Sequence, residues 1–372
     1  MTRQRDNGSV RNLVICLDGT SNEPEHGSTN VARIYAAAAK SDDQLAYYDP
    51  GVGTMGARGA VTALGRDATR VAGLVVGFGV KENVEEAYTF LMQHYQRDDR
   101  IFVFGFSRGA YTARALTGML RTVGLLRPGA ENLVPYALKL YAQSGTEHPS
   151  PAEEKAFWKV RSDFTERFGN PEFPNPFDPH RDQVHFLGVW DTVKSVGWLN
   201  AKARWEEAKW PFTRRITNVG TARHALAIDE RRRPFTEYRF DKDVVAEHPD
   251  RYVEMWFAGV HSDVGGVFGD DHRLSDLAFA WMADEAREAG LVVDGAAYKH
   301  ALGVRPGEAL PDDLPLGRIH RNSGIWVLAG GWRTRPVLPG DHVHPSVQER
   351  IDRTAGDRKP YRPALPGRRT RG

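Results

Sequence analysis

Ser107 stands in the run Gly105-Phe106-Ser107-Arg108-Gly109, between two glycines. A serine on a sharp strand-to-helix turn presents its hydroxyl outward, and small residues two before and two after it let strand and helix approach closely. The helix behind such a serine aims backbone N–H groups and its positive dipole end at a developing oxyanion. The N–H of Arg108 is the first donor expected. By itself the motif is weak, since a tight glycine turn whose serine caps the helix has the same residues. A serine hydroxyl also needs a base to take its proton, and the base needs an acid to orient it. Asp191 follows the apolar run 184–190 and is the candidate acid. His261 follows the run 252–258 and is the candidate base. Most of the other histidines, of 13 in all, sit in polar stretches. Two alternatives stay open: Asp263 is a rival acid or a brace of the loop 259–266, and His261 itself could serve to fix that glycine-rich turn. The chemistry implied is two-step acyl transfer from an ester, which needs no cofactor.

These residues need elements to carry them. The short apolar run 12–17, ended by Asp18-Gly19-Thr20, reads as a buried parallel strand entering a loop. A helix is expected from Thr29-Asn30, with Asn30 as cap, through Ala39. Val80, Val84, Ala87, Tyr88 and Leu91 write a second helix at i, i+3/i+4, i+7 spacing. A strand at 101–104, the serine turn, and a helix at 110–120 follow directly. This alternation predicts a doubly wound, mostly parallel sheet. In such sheets ligands bind outside the carboxyl ends of the strands, and three strands would deliver Ser, Asp and His there in that chain order. Gly19 or Thr20 could supply a second oxyanion N–H from the same edge, or Asp18 could cap and brace its own loop. The segments 125–183 and 192–250, rich in Pro, aromatic and charged residues, read as insertions or lids within one domain over 12–363. The tails, 1–11 and 364–372, read as frayed.

Bulk composition narrows the function classes. The chain has 372 residues, 41% of them hydrophobic, with 50 basic against 48 acidic side chains and a formal net charge of +2. No global field points to nucleic acid or to anionic membranes. One cysteine, Cys16, excludes internal disulfides and reads as a small core residue. The N-terminus lacks the apolar stretch of a secretory signal, so a cytoplasmic protein is the expectation. Gly73, Gly77 and Gly79 lack the strand context and spacing of a dinucleotide loop. Asp18, Asp191, His261, Asp263, Asp270, Asp271 and His272 show no fixed metal-ligand spacing. His342 and His344 read as solvated or capping, and Arg231-Arg232-Arg233 as a solvated helix end. Trp198, Trp205, Trp210 and Phe212, interleaved with basic residues, read as a lid over the crevice in preference to a lipid-headgroup surface. Membrane contact is open but not favoured, and soluble short- or medium-chain esters are the expected substrates.

A set of motifs running in order along the chain adds a resemblance. They are Leu17-Asp18-Gly19-Thr20, Thr29-Asn30-Val31, Phe104 to Arg114, Gly188-Val-Trp-Asp-Thr-Val193, Ala225 to Arg231, Trp256 to Gly266, His344-Pro-Ser-Val347 and Tyr361-Arg-Pro-Ala-Leu365. Together they resemble the uncharacterised α/β-hydrolase domain family that includes type VI secretion phospholipase effectors. The resemblance implies an α/β-hydrolase-like fold, ester hydrolysis, phospholipid as substrate of the better-known members, and a triad on Ser107, Asp191 and His261. Two competing readings are a metal-dependent phosphoesterase using the Asp/His residues and a catalytically silent binding module with the same fold.

Overall fold

The structure, a computed structural model, describes residues 10–19, 28–51, 78–143, 150–178, 181–193, 210–305, 307–321 and 331–366. Seven strands form one sheet: β1 (Asn12–Leu17), β2 (Gln44–Asp49), β3 (Arg100–Phe106), β4 (Val184–Trp190), β5 (Val219–Ala227), β6 (Tyr252–Phe257) and β7 (His342–Val343). Their order is β2-β1-β3-β4-β5-β6-β7, and every pair is parallel. The described α-helices are α1 (Asn30–Ala37), α2 (Phe78–His94), α3 (Arg108–Val123), α4 (Val134–Ala142), α5 (Pro151–Phe168), α6 (Lys242–Glu247), α7 (His261–Gly265), α8 (Arg273–Glu288), α9 (Gly295–Ala301) and α10 (Pro345–Arg353).

Residues alternate between the two faces of the central strands, and both faces are covered. Leu13, Ile15, Ile101, Val103, Leu187 and Val189 pack under α2, α3 and α4. Val14, Cys16, Phe102, Phe104, Phe186 and Trp190 pack under α1 and α8. With a helix layer on each side, the strands read as continuous apolar runs, as buried parallel strands do. A smaller third cluster, including Leu226, Trp256, Val337 and Val347, seats the C-terminal segment on the β7 edge. Strand order reverses between β1 and β3, because β2 extends from β1 one way and β3 to β7 extend the other. That switch point opens a crevice at the carboxyl ends of the strands.

Several expectations shift here. The sheet is all-parallel among the described residues. The cap of α1 is Thr29, whose Oγ1 accepts from Ala32 N at 3.1 Å; Asn30 turns inward and donates to Val264 O and Ser275 O. The segment 192–250 is more than an insertion, since it holds β5, an interior strand between β4 and β6. The segment 125–183 does carry helices, α4 and α5. Thr20, Gly73, Gly77, Trp198, Trp205 and most of both tails lie outside the described residues. Among the described residues, no helix is long and apolar enough to cross a membrane.

Candidate active site

The turn from β3 into α3 carries Ser107 with φ 58° and ψ −119°, a conformation that L residues rarely adopt. Its backbone N–H donates to Trp190 O of the adjacent strand at 3.1 Å, which anchors the turn. The flanking glycines make the turn sterically possible. A Cβ on Gly105 would lie 2.5 Å from Gly109 O, and one on Gly109 would press into the carbonyls of Leu17 and Asp18 at the end of β1. The serine side chain makes no cap bond to α3, so its hydroxyl is available to the crevice rather than spent on the helix.

That hydroxyl faces His261 Nε2 at 2.9 Å. His261 opens α7, just past β6, and its Nδ1 lies 2.5 Å from Asp191 Oδ2, just past β4. Three strands thus bring Ser107, His261 and Asp191 into one hydrogen-bonded line, although they are far apart in the chain. An ionised Asp191 puts the imidazole hydrogen on Nδ1 and leaves the Nε2 lone pair facing the Ser107 O–H. Phe106 lies against the imidazole at 4.7 Å between ring centroids, and Phe235 meets it edge-on at 4.9 Å. These walls keep the buried ring from turning. The His261 backbone N–H donates to Glu230 Oε2 at 3.1 Å, and Arg232 pairs with that same carboxylate.

Asp191 is fully buried. Burial alone would raise its pKa, but the Arg335 guanidinium and the His261 hydrogen bond outweigh that and hold it well below the usual carboxylate range. Arg335 bonds both carboxylate oxygens, at 2.5 and 3.0 Å, and Ala227 N adds a third donor at 3.1 Å. Burial lowers the His261 pKa, against the opposing pull of Asp191, so the ring is neutral at neutral pH. Sequence reasoning missed Arg335 and Glu230. The contacts that bring them to the site, Arg335 to Asp191 and Glu230 to the His261 N–H, are long-range and have no local signature; the Glu230–Arg232 pair, two residues apart, is local.

The remaining candidates separate from this line. Asp263 turns away from His261: its Oδ1 lies 2.6 Å from His320 Nδ1, and its Oδ2 accepts from Val260 N and His320 N. It braces the loop. Asp18 accepts from Gly19 N at 2.7 Å, from Tyr48 Oη at 2.8 Å and from Thr29 Oγ1. Asp18 is therefore a brace, and the Gly19 N–H, expected as a second oxyanion donor, is engaged by that carboxylate. Arg108 N opens α3 directly behind Ser107, where the first donor is expected. Asp270 bonds Arg318 and His320, Asp271 bonds Arg273, and His272 bonds Asp276. Among the described residues no three His, Cys, Asp or Glu stand together as a metal set. In the basic run 231–233, Arg231 and Arg233 are exposed, as expected, while Arg232 folds back on buried Glu230 and over the Phe235 ring. His344 caps α10, accepting from Ser346 N.

Residues 11–285 match the family described as T6SS, phospholipase effector Tle1-like, catalytic domain. The uncharacterized protein YEL023C of Saccharomyces cerevisiae (strain ATCC 204508 / S288c) is 32% identical over 240 residues, covering 62% of this chain and 33% of that protein. The chain thus spans about a third of that relative's length. An uncharacterized protein from Pseudomonas aeruginosa has a crystal structure with a TM-score of 0.37 and 18% identity, over 78% of this chain and 47% of that one. The Tle1 effector bound to the VgrG spike of the type 6 secretion system gives 0.34 and 16%, over 70% and 52%. The match of 11–285 covers most of the chain, and the chain belongs to the family of Tle1-like type VI secretion phospholipase effector catalytic domains.

Proposed function

We propose that this protein is a serine hydrolase that cleaves carboxylic esters of lipids through Ser107, His261 and Asp191. The observation that carries the reading is the unbroken line from Ser107 Oγ through both imidazole nitrogens to a buried, ionised carboxylate. Family membership supports the lipid-ester class. In the first step Ser107 Oγ bonds to the ester carbonyl carbon while His261 Nε2 takes the hydroxyl proton. Backbone N–H groups at the start of α3, Arg108 first, stabilise the oxyanion. The carbonyl re-forms, the bond to the alcohol oxygen breaks, and His261 returns the proton to the departing alcohol. A water then attacks the acyl-serine with His261 as base, releasing the acid and restoring Ser107. Asp191 orients the ring and stabilises the imidazolium in both halves.

The test is labelling of the folded protein with a fluorophosphonate probe, mapping of the modified residue, and assay of Ser107→Ala. We expect the label on Ser107 and a fall in kcat of at least about 10³-fold with the fold unchanged. Full esterase activity in folded Ser107→Ala overturns the mechanism.

A further inference from the structure

Arg335 lies beyond the stretch that matches the family, yet it touches the centre of the site. Its two terminal nitrogens make four bonds: to Asp191 Oδ1 and Ala227 O from one, at 2.5 and 3.0 Å, and to Asp191 Oδ2 and Phe235 O from the other, at 3.0 and 2.5 Å. Arg335 is 2% exposed and Asp191 not at all. The backbone on either side is pinned. Arg333 N donates to Arg231 O, Arg233 N donates to Gly331 O, Val337 is buried in the edge cluster, and Asp341 pairs with Arg239 before β7 begins. A guanidinium so fixed leaves the Asp191 carboxylate one orientation, the one that meets His261 Nδ1.

We propose that Arg335 is a positioning residue for the triad, holding Asp191 oriented toward His261 and setting the pH at which the Asp191–His261 pair takes up its proton. The proposal rests on the triad reading above. The charges facing that pair come from several elements. Arg335 stands on one side, with Glu237 3.9 Å from its Nε. Glu230 and Arg232 form an ion pair on the His261 backbone side. Behind Asp191 lies His224, whose Nε2 accepts from Thr192 N and whose Nδ1 meets Glu254. Burial drops His224 to about 4, so it carries no charge at neutral pH. Glu230 is balanced by Arg232, and Glu254 by Arg239. Arg335 is then the cation in direct contact with the pair. Removing it raises the pair's affinity for its first proton, whichever of the two groups binds it, because a positive charge at hydrogen-bond distance has gone. A lysine keeps the charge but cannot bond both oxygens in one plane.

The experiment measures kcat and KM of the full chain on a soluble p-nitrophenyl ester between about pH 4 and pH 9, for wild type, Arg335→Met, Arg335→Lys and Ser107→Ala. Circular dichroism verifies folding. In Arg335→Met the acid limb of kcat/KM is expected to move up by about one pH unit or more. Arg335→Lys is expected to keep the limb near its wild-type position, with plateau kcat lowered about tenfold and KM unchanged. A folded Arg335→Met with an unmoved limb overturns the proposal. If the Met variant does not fold, Arg335→Lys with wild-type kcat overturns it. Hydrolysis surviving in Ser107→Ala overturns the triad reading and this proposal with it. Loss in Ser107→Ala together with an unmoved limb in Arg335→Met overturns the role of Arg335 alone.

Discussion

Asp191 and Asp263 are both buried carboxylates set against a histidine, and their partners differ. Asp191 meets His261, which faces Ser107; Asp263 meets His320, stacked on Phe268 at 3.8 Å between centroids. Asp191→Asn is expected to lower kcat by about 10⁴-fold, because an amide favours the wrong imidazole tautomer. It also strands the Arg335 cation, which costs about 3–5 kcal/mol of stability, so the kinetics are to be read on protein shown to be folded. Asp263→Asn is expected to cost less than about tenfold in kcat. Steady-state kinetics on the two variants compare them, and a larger loss at 263 would exchange the acid assignment. The pH dependence follows from His261. Its pKa lies below the ordinary value because burial penalises the imidazolium. The base must be neutral to act, so kcat/KM rises with pH, and its acid limb is expected below the range of an ordinary imidazole. A limb centred above about 7 would assign the base elsewhere. Position in the sequence carried Ser107, Asp191 and His261 to one edge, since each follows an apolar run that forms a strand, but position did not separate Asp191 from Asp263.

At the scale of elements, the β3 turn works because β1, β3 and α3 approach to backbone contact. Gly109→Ala would set a methyl group against the Leu17 and Asp18 carbonyls, which are backbone and cannot yield by changing rotamer. The expected cost is about 1–3 kcal/mol, read as a lower denaturant midpoint, with activity falling as Ser107 is displaced. An unchanged midpoint would mean that β1 and α3 stand further apart. The strands β1, β3 and β4 were legible because their runs are almost wholly apolar, and β6 because Val253, Met255, Trp256 and Phe257 outweigh its one buried charge, Glu254. β5 was not: Val219–Ala227 carries Arg223 and His224, whose charges and ring nitrogens are met by Glu285 and Glu254 only after folding. β2 was hidden for a related reason. It is an edge strand, with its middle residues half-buried, and its short run is bounded by the polar residues Gln44 and Asp49.

For the molecule as a whole, the open quantity is whether the crevice takes its ester from solution or from a membrane. Trp210 stacks on Tyr141 at 5.3 Å between centroids and packs against the main core, so part of its ring is already covered by the protein. Soluble p-nitrophenyl esters are therefore expected to be cleaved faster than phospholipid in intact vesicles, since docking on a bilayer needs exposed apolar area. Fatty-acid release from vesicles, compared with p-nitrophenol release, measures this. Rapid vesicle hydrolysis that is lost when Trp205 and Trp210 become alanine would show that this aromatic segment is a membrane anchor.

By itself the sequence determined the α/β class and the strands that carry Ser107, Asp191 and His261 to one edge of the sheet, because these are written in neighbouring residues: apolar periodicity, paired glycines and the polar residue that ends a strand. The tertiary structure alone decided which carboxylate meets His261 and that Arg335 grips Asp191 from 144 positions away in the chain. Those outcomes depend on which buried charges find each other once the strands align. A buried charge must be matched wherever the folded chain brings its partner, so sequence spacing carries no record of the pairing.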